Sequence, residues 1–266
     1  MLLFSQIPSH ETPPREACDV VLWNLRHGGG NTRTPEHALF LLQHDPDIVV
    51  LNEVRASRGS QLFAALAAHG LPHAIMAPAP DDRTNRVAIV AREPITIVQA
   101  QVARLIVART ASITIIAAHV PDESAPRARA ELWQRLVDAA RAHRDEHTLI
   151  AADFNTSRSG VDPHRRGQTC ERHMGTLASL GYADVWRIEK KSASDAWSWA
   201  GPRGERHRLD AILASQTLQK HAENAVYDTT CAEQGLSDHA LLRVRLRVRN
   251  MWKSVENAPV PAENGL

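Results

Sequence analysis

Short apolar runs that stop at a polar residue recur along this chain and set its predicted elements. Residues 19–25 (DVVLWNL) and 47–51 (DIVVL) read as buried strands, with Asn24 near the end of the first and Glu53 just after the second. Between them Thr34-Pro35 marks a helix start, Thr as N-cap and Pro at the first helical position. Leu39 and Leu42 supply its apolar side, and Asp45-Pro46 ends it. A second helix, about 59–69, stops at Gly70. Stretches 73–78, 86–91, 95–108 and 111–119 are β-rich. In the last, Ile113, Ile115, Ala117 and His119 share one face, so His119 leaves the strand from an apolar side. Pro126 opens a long helix to about residue 143, with Leu132, Leu136 and Ala140 inward, widened by Trp133 and Val137.

The stretch 149–155 (LIAADFN) organises the rest. Four apolar residues run into Asp-x-Asn, and alternation sends Asp153 and Asn155 to one side and Phe154 to the other. Residues 156–170 read as a polar surface loop, and 171–180 as a short helix stopped by Gly181. Strands follow at 182–187, 196–200, 207–214 and 224–230. Trp197 and Trp199 fall on one strand face, where core packing is favoured over stacking on a ligand. The final strand, 241–248, alternates Leu242, Val244, Leu246 and Val248 with Arg243, Arg245, Arg247 and Arg249, a solvated arginine face. So many consecutive strands exclude a purely alternating parallel fold. They fit an α/β architecture of two mixed sheets packed face to face with helices outside. Residues 1–17 read as a flexible lead-in, 18–250 as a single domain, and 251–266 as a disordered tail.

Composition narrows this only a little. The 43% hydrophobic content suffices for a large core, and a net charge of +1 announces no nucleic-acid binder yet leaves room for a local basic rim. Cys18, Cys170 and Cys231 show neither metal spacing nor a disulfide framework, which fits a reducing, cytoplasmic setting. The start carries no secretory pattern, and no apolar run is long enough to cross a membrane. No short repeat or oligomerisation motif is evident.

Candidate chemistry sits at the strand ends: Asn24, Glu53, His119, Asp153, Asn155, Asp210 and the Asp238-His239 pair before the last strand. Each has a structural alternative. Asn24 caps a turn, Glu53 starts a helix, His119 is a core histidine, Asp210 pairs with Arg206 or Arg208, and Asp238 begins a strand. Taken together they fit one sheet edge carrying carboxylates, amides and imidazoles, the groups that handle water and phosphate oxygens. Gly28-Gly29-Gly30 matches no nucleotide-loop pattern and reads as flexible loop.

The segments VLWNL, DIVVLNEVR, AAHVP, LIAADFN, HRLDAIL and LSDHALL, in that order over about residues 19–248, resemble the exonuclease–endonuclease–phosphatase superfamily. That group includes deoxyribonuclease I, abasic-site endonucleases, neutral sphingomyelinases and inositol-polyphosphate phosphatases. The resemblance implies a four-layer αββα sandwich and a Mg²⁺-dependent phosphodiesterase, with Mn²⁺ as an alternative ion and nucleic acid as the leading substrate. Phospholipids, inositol phosphates and nucleotide conjugates are the alternatives. A non-catalytic binding domain is disfavoured, because no proposed site residue is missing.

By this resemblance Glu53 is the principal metal ligand, with Asn24 and Asp238 nearby. Asp153 and Asn155 orient or deprotonate the attacking water, and His239 paired with Asp210 stabilises the pentacovalent phosphate or acts as base. His119 gives a proton or a hydrogen bond to the leaving oxygen. Whether Asp153 or His239 takes the proton stays open. Arg55 resembles a nucleic-acid contact of deoxyribonuclease I and equally a surface arginine. Two positions depart from the common pattern. Asn52 stands where many members have Gln, and His119 where abasic-site endonucleases have Tyr.

Overall fold

The computed structural model describes residues 15–29, 33–156, 171–190 and 196–247. The expected loop over 156–170 lies, apart from Thr156, outside them, as do the expected tail and all but the end of the lead-in. The first part comprises β1 (Ala17–Asn24), α1 (Thr34–Leu42), β2 (Ile48–Val54), α2 (Ala56–Ala67), β3 (His73–Met76) and β4 (Arg86–Ala91). Next come β5 (Thr96–Val102), β6 (Leu105–Arg109), β7 (Thr114–His119), α3 (Pro126–Ala142), β8 (Thr148–Asp153) and α4 (Glu171–Ser179). The last part is β9 (Ala183–Asp184), α5 (Val185–Glu189), β10 (Trp199–Ala200), β11 (Arg206–His207), β12 (Asp210–Ala214), α6 (Gln216–Gln219), β13 (Ala222–Asp228), α7 (Thr230–Glu233) and β14 (Leu241–Arg247).

Two six-stranded sheets result, ordered β13-β14-β1-β2-β4-β3 and β5-β6-β7-β8-β12-β9. Val20, Leu22, Ile48 and Val50 of one meet Ile115, Ala117, Leu149, Ala151 and Ile212 of the other in a shared core. The outer faces are covered separately. Leu132, Trp133, Leu136 and Val137 of α3 lie on the second sheet, and Phe40, Leu41, Leu62 and Leu66 of α1 and α2 on the first. Each fully buried Leu, Ile or Val contributes about 1.5–3 kcal/mol, so sheet stacking and helix covering dominate stability. The layering is αββα.

Topology also places the site. β1 and β2 are parallel, as are β7 and β8. β12 and β14 run antiparallel to β8 and β1. The last residues of four strands and the first of two others therefore gather along one rim.

Several local readings are corrected. Thr34 lies inside α1, preceded by Arg33, with no side-chain cap. Leu39 is 62% exposed, and His37, Ala38, Phe40 and Leu41 are buried instead. Trp23 of β1 decides that face, because its ring meets His37 at 5.0 Å and Phe40 at 5.3 Å. The stretch 95–108 folds into a hairpin at Ala103-Arg104. Residues 185–189 are helical, because the Asp184 side chain accepts the Trp186 N–H and caps a turn. The stretch 207–214 splits into β11 and β12. Trp197 and Trp199 are half-buried and outside the core clusters. Trp199 stacks on His207 at 5.5 Å, and Arg206 lies over Trp197 at 4.9 Å. The arginine face is ion-paired: Arg243 and Arg245 both reach Asp19, at 2.9 and 2.8 Å.

Glu146, just before β8, links three elements. It accepts from Thr114 Oγ1 and Arg109 Nη2, each at 2.7 Å, and lies 3.1 Å from His143 Nδ1. Burial pushes its proton affinity up, but the Thr114, His143 and Arg109 contacts outweigh burial and hold it down to about 2. Its folded pKa is depressed, so its stabilisation is present above the ordinary value of 4.5 and is lost as pH falls towards about 2. Glu146→Gln should flatten the wild-type fall in melting temperature across that window and lower stability at neutral pH. Parallel melts at graded pH check this, and an unchanged acid limb would exclude Glu146 as a source.

Candidate active site

Strand register builds the site. His119 of β7 lies opposite Asp153 of β8, and Asp153 opposite Asp210 of β12. Adjacent strands are about 4.8 Å apart, so three ionisable side chains leave the second sheet side by side. On the first sheet Asn24 pairs with Asn52, and Glu53 follows where the β2–β4 ladder shifts between Leu51 and Val54. Glu53 has φ 59° and Asn155 φ 46°, both left-handed without being glycine. Each such residue costs roughly 1–3 kcal/mol and persists where surrounding contacts over-determine it.

Those contacts are specific. Glu53 Oε2 accepts the His27 N–H at 2.8 Å, and His27 Nδ1 lies 2.8 Å from the same oxygen. Asn155 donates Nδ2 to the Val120 carbonyl and its N–H to Asp153 Oδ1, each at 2.9 Å. Buried Arg129 ties the same turn down, donating to the carbonyls of Pro121 (2.7 Å) and Asn155 (2.9 Å) and to Thr156 Oγ1 (2.6 Å). Asn155 thus leaves the rim from a left-handed turn rather than by strand alternation, while Phe154 is buried against Trp133 at 5.5 Å.

Around Asp153 the spacing is close. Its Oδ2 accepts Asn24 Nδ2 at 3.0 Å and lies 3.8 Å from His119 Nε2 and 4.0 Å from His239 Nε2. His239 Nδ1 is 2.7 Å from Asp210 Oδ2, a short bond between groups that are almost fully buried. His119 Nε2 is also 3.7 Å from Glu53 Oε1. The backbone of His239 is fixed by Trp23 Nε1 on its carbonyl and by Ser237 Oγ on its N–H, both 3.1 Å. Ser198 Oγ accepts the N–H groups of Leu209 (2.8 Å) and Asp210 (2.9 Å). Asn52, fully buried, donates to the Ala118 carbonyl at 3.2 Å and accepts the Asp153 N–H at 3.1 Å in the orientation that satisfies both. Its amide joins the two sheets beneath Asp153 rather than touching Glu53.

Electrostatics separate the two histidines. Burial works against the charged form of His239, but Asp210 outweighs it, helped by Asp153 and Asp238, so the imidazolium is favoured. His119 goes the other way: burial first, then the Arg104 cation, hold it well below the ordinary range. A neutral His119 offers a hydrogen bond and not a spare proton. Burial, then the nearby Asp210 charge, raise the proton affinity of Asp153, while His239 and Asn24 oppose them.

A cleft of about 750 Å³ opens over these groups. Glu53, His119, Asp153, Asn155, Asp238 and His239 line it. Asp210 stands behind His239. Asn24 is spent on Asp153 and on the Arg26 N–H, which its Oδ1 accepts at 2.9 Å. Arg55 does not line the cleft. It donates to Asn85 at 3.3 Å, and Asn85 does. The cleft walls instead carry the guanidinium groups of Arg26 and Arg104 and the imidazole of His27, which the sequence pattern did not single out. A left-handed run at Arg26, His27 and Gly28 (φ 48°, 58° and 73°) and the β5–β6 turn deliver them.

A model described as the Endonuclease/Exonuclease/phosphatase family matches residues 21–239, most of the chain. The chain belongs to that family. Its fold is also that of solved structures. A 3′ phosphatase, NExo, from Neisseria bound to a product DNA hairpin superposes with TM-score 0.72 at 20% identity, covering 86% of this chain and 99% of that one. An AP endonuclease from Archaeoglobus fulgidus gives 0.72 at 20% identity, over 85% and 98%. A 3′-5′ exonuclease (NExo) from Neisseria meningitidis gives 0.70 at 20%, over 86% and 99%.

As an Endonuclease/Exonuclease/phosphatase family member the chain is a phosphoric ester hydrolase, and divalent-metal dependence is general in that family. Its residues fit such an ion. Asp153, Asp210 and His239 present ligand atoms within 4.8 Å of one another, but Asp210 and His239 are bonded together there. Glu53 and Asp238 also offer hard oxygen donors, Glu53 Oε2 held by His27 and Asp238 Oδ2 lying 3.7 Å from Arg26 Nε. Both line the cleft, and the buried Asp238 Oδ1 has no hydrogen-bond partner among the described residues.

Proposed function

We propose that this enzyme is a divalent-metal-dependent phosphodiesterase acting on nucleic acid, with Mg²⁺ as its ion and Mn²⁺ as a substitute. The carrying observation is the convergence of Glu53, His119, Asp153 and the Asp210–His239 pair on one cleft. Glu53 and Asp238 hold the ion, and Asn24 borders them by fixing Asp153. When bound, the ion polarises a phosphoryl oxygen and offsets leaving-group charge.

The chain's own groups do the remainder. Asp153, held by Asn24 and the Asn155 N–H, orients the attacking water, and its raised proton affinity suits it to take the proton. His239, kept cationic by Asp210, donates to a non-bridging oxygen and offsets charge in the transition state. Asn155 lines the same wall and hydrogen-bonds the phosphate. Neutral His119 donates a hydrogen bond to the leaving oxygen.

Nucleic acid is favoured because the structural neighbours named above include a phosphatase bound to a DNA hairpin, an AP endonuclease and an exonuclease. Trp199, stacked on His207 at the cleft, offers a base a flat surface. Asp122, Glu123 and Glu205 on the same walls favour a second reading, a shorter or non-nucleic phosphodiester. Free Cys18 and Cys231 support a cytoplasmic location. Assays with Mg²⁺ against duplex DNA, single strands, RNA, sphingomyelin and inositol phosphates test the proposal. Cleavage of nucleic acid alone is expected. Turnover of only a lipid or inositol ester would replace the substrate, and no turnover would remove the activity.

A further inference from the structure

Arg104 sits in the β5–β6 turn and is clamped on both sides. Its carbonyl accepts the His119 N–H at 3.0 Å, and the neighbouring Ala103 carbonyl accepts the Val87 N–H at 2.9 Å. The side chain is therefore delivered to the cleft by a fixed backbone. Its Nη1 lies 2.9 Å from His119 Nδ1 and 3.2 Å from Nε2. Among the described residues no carboxylate forms an ion pair with it, although Asp122 on the same cleft wall feels its charge from farther off. The residue is half-buried and lines the cleft. Other arginines drawn inward here have an anion: Asp19 for Arg243, Asp47 for Arg92, Asp184 for Arg208.

A half-buried guanidinium resting on an imidazole is a costly arrangement. It persists where an anion arrives. The cleft beside it is the one that holds Asp153 and His239. A phosphate bound between those groups and His119 would stand within reach of a planar fork matched to its oxygens.

We propose that Arg104 is a further catalytic residue, its guanidinium donating to a non-bridging oxygen of the substrate phosphate beside His119. This rests on the phosphodiesterase reading above. No covalent bond is made or broken by Arg104. It supplies N–H donors and positive charge as charge builds on the phosphoryl oxygens. Arg104 lines the same cleft as His119 and His239, so its guanidinium adds a fixed positive charge beside the two imidazoles.

The test uses the full chain with Mg²⁺, bis(4-nitrophenyl) phosphate as substrate and inorganic phosphate as competing ligand. Arg104→Gln should lower kcat/KM about a hundredfold, as losing one transition-state donor does. It should weaken inorganic phosphate inhibition about tenfold or more. Its melting temperature should be unchanged or higher, because no ion pair is lost with the guanidinium. Arg104→Lys keeps the charge without the fork and should fall between, which also serves if the Gln variant folds poorly. Unchanged phosphate inhibition in both variants, or activity falling only in step with melting temperature, would make Arg104 a structural support of His119 and overturn the proposal. Wild-type protein that neither cleaves the diester nor is inhibited by phosphate would instead remove the phosphodiesterase reading, and the proposal with it. An active wild type beside an unaffected Arg104→Gln removes the proposal alone.

Discussion

Asp153→Asn lowers kcat by about a hundredfold or more and leaves the fold intact, and His239→Ala lowers kcat by a comparable factor while still folding. Asp153 stands where three polar groups of the rim meet: Asn24 Nδ2 at 3.0 Å, His119 Nε2 at 3.8 Å and His239 Nε2 at 4.0 Å. The Asn variant keeps the shape and an oxygen that Asn24 can donate to, but it loses the charge and the ability to take a proton. The loss should fall on kcat more than KM, as expected for an interaction strongest in the transition state. Stability should change little, because relief of a charge that burial and Asp210 oppose offsets the loss of either the Asn24 or the Asn155 hydrogen bond, the amide having one oxygen for two donors. His239→Ala strips Asp210 of its 2.7 Å partner and leaves that carboxylate buried, so it costs stability as well as rate. Reading the two variants together separates rate from folding. Kinetics on bis(4-nitrophenyl) phosphate and melting temperatures decide. An Asp153→Asn enzyme with most of the wild-type kcat would take Asp153 out of the chemistry.

Glu53→Gln is expected to weaken Mg²⁺ and Mn²⁺ binding more than any other single rim substitution, by at least the ~10–100-fold seen for lesser changes around metal sites. The backbone argues for this. Glu53 holds φ 59° at a shifted point of the ladder, and the His27 N–H anchors one of its oxygens at 2.8 Å. An arrangement that costs energy and aims a carboxylate into the cleft has its return in what that carboxylate binds. Gln preserves length and can still accept from His27, so the lost charge is isolated from lost packing. Calorimetric titration with either ion measures the change without relying on turnover. Equal affinity in mutant and wild type would remove Glu53 from the ligands and shift attention to Asp238, whose Oδ1 lacks a hydrogen-bond partner among the described residues.

Much of this site is legible before folding, because strand periodicity is local. An apolar run that ends in a polar residue is a buried strand reaching a rim. That logic marked Asn24, Glu53, His119, Asp153, Asp210 and His239, and it marked Leu132, Trp133, Leu136, Val137 and Ala140 as the covering face of α3, all of them buried. It failed where a distant partner chose the outcome. Leu39 is exposed because Trp23 takes the other side of α1, and 185–189 turned helical on the Asp184 cap.

The sequence by itself determined most of the order of elements, and with it two sheets flanked by helices, together with which acids, amides and imidazoles stand at strand ends, since strand and helix periodicity depends on neighbours a few positions away. Only the tertiary structure decided their chemistry. Asn52 became a bridge between sheets, Asn155 a left-handed turn held by Arg129, and Arg55 a support for Asn85. Arg104 met His119 across a hairpin, and His27 met Glu53 from a left-handed loop. The two imidazoles are pushed in opposite directions, His239 towards its charged form by Asp210 and His119 away from it by burial and then Arg104. Those pairings join residues far apart in the chain through backbone turns and sheet stacking, and no local pattern of hydrophobic and polar positions encodes the geometry that brings them together.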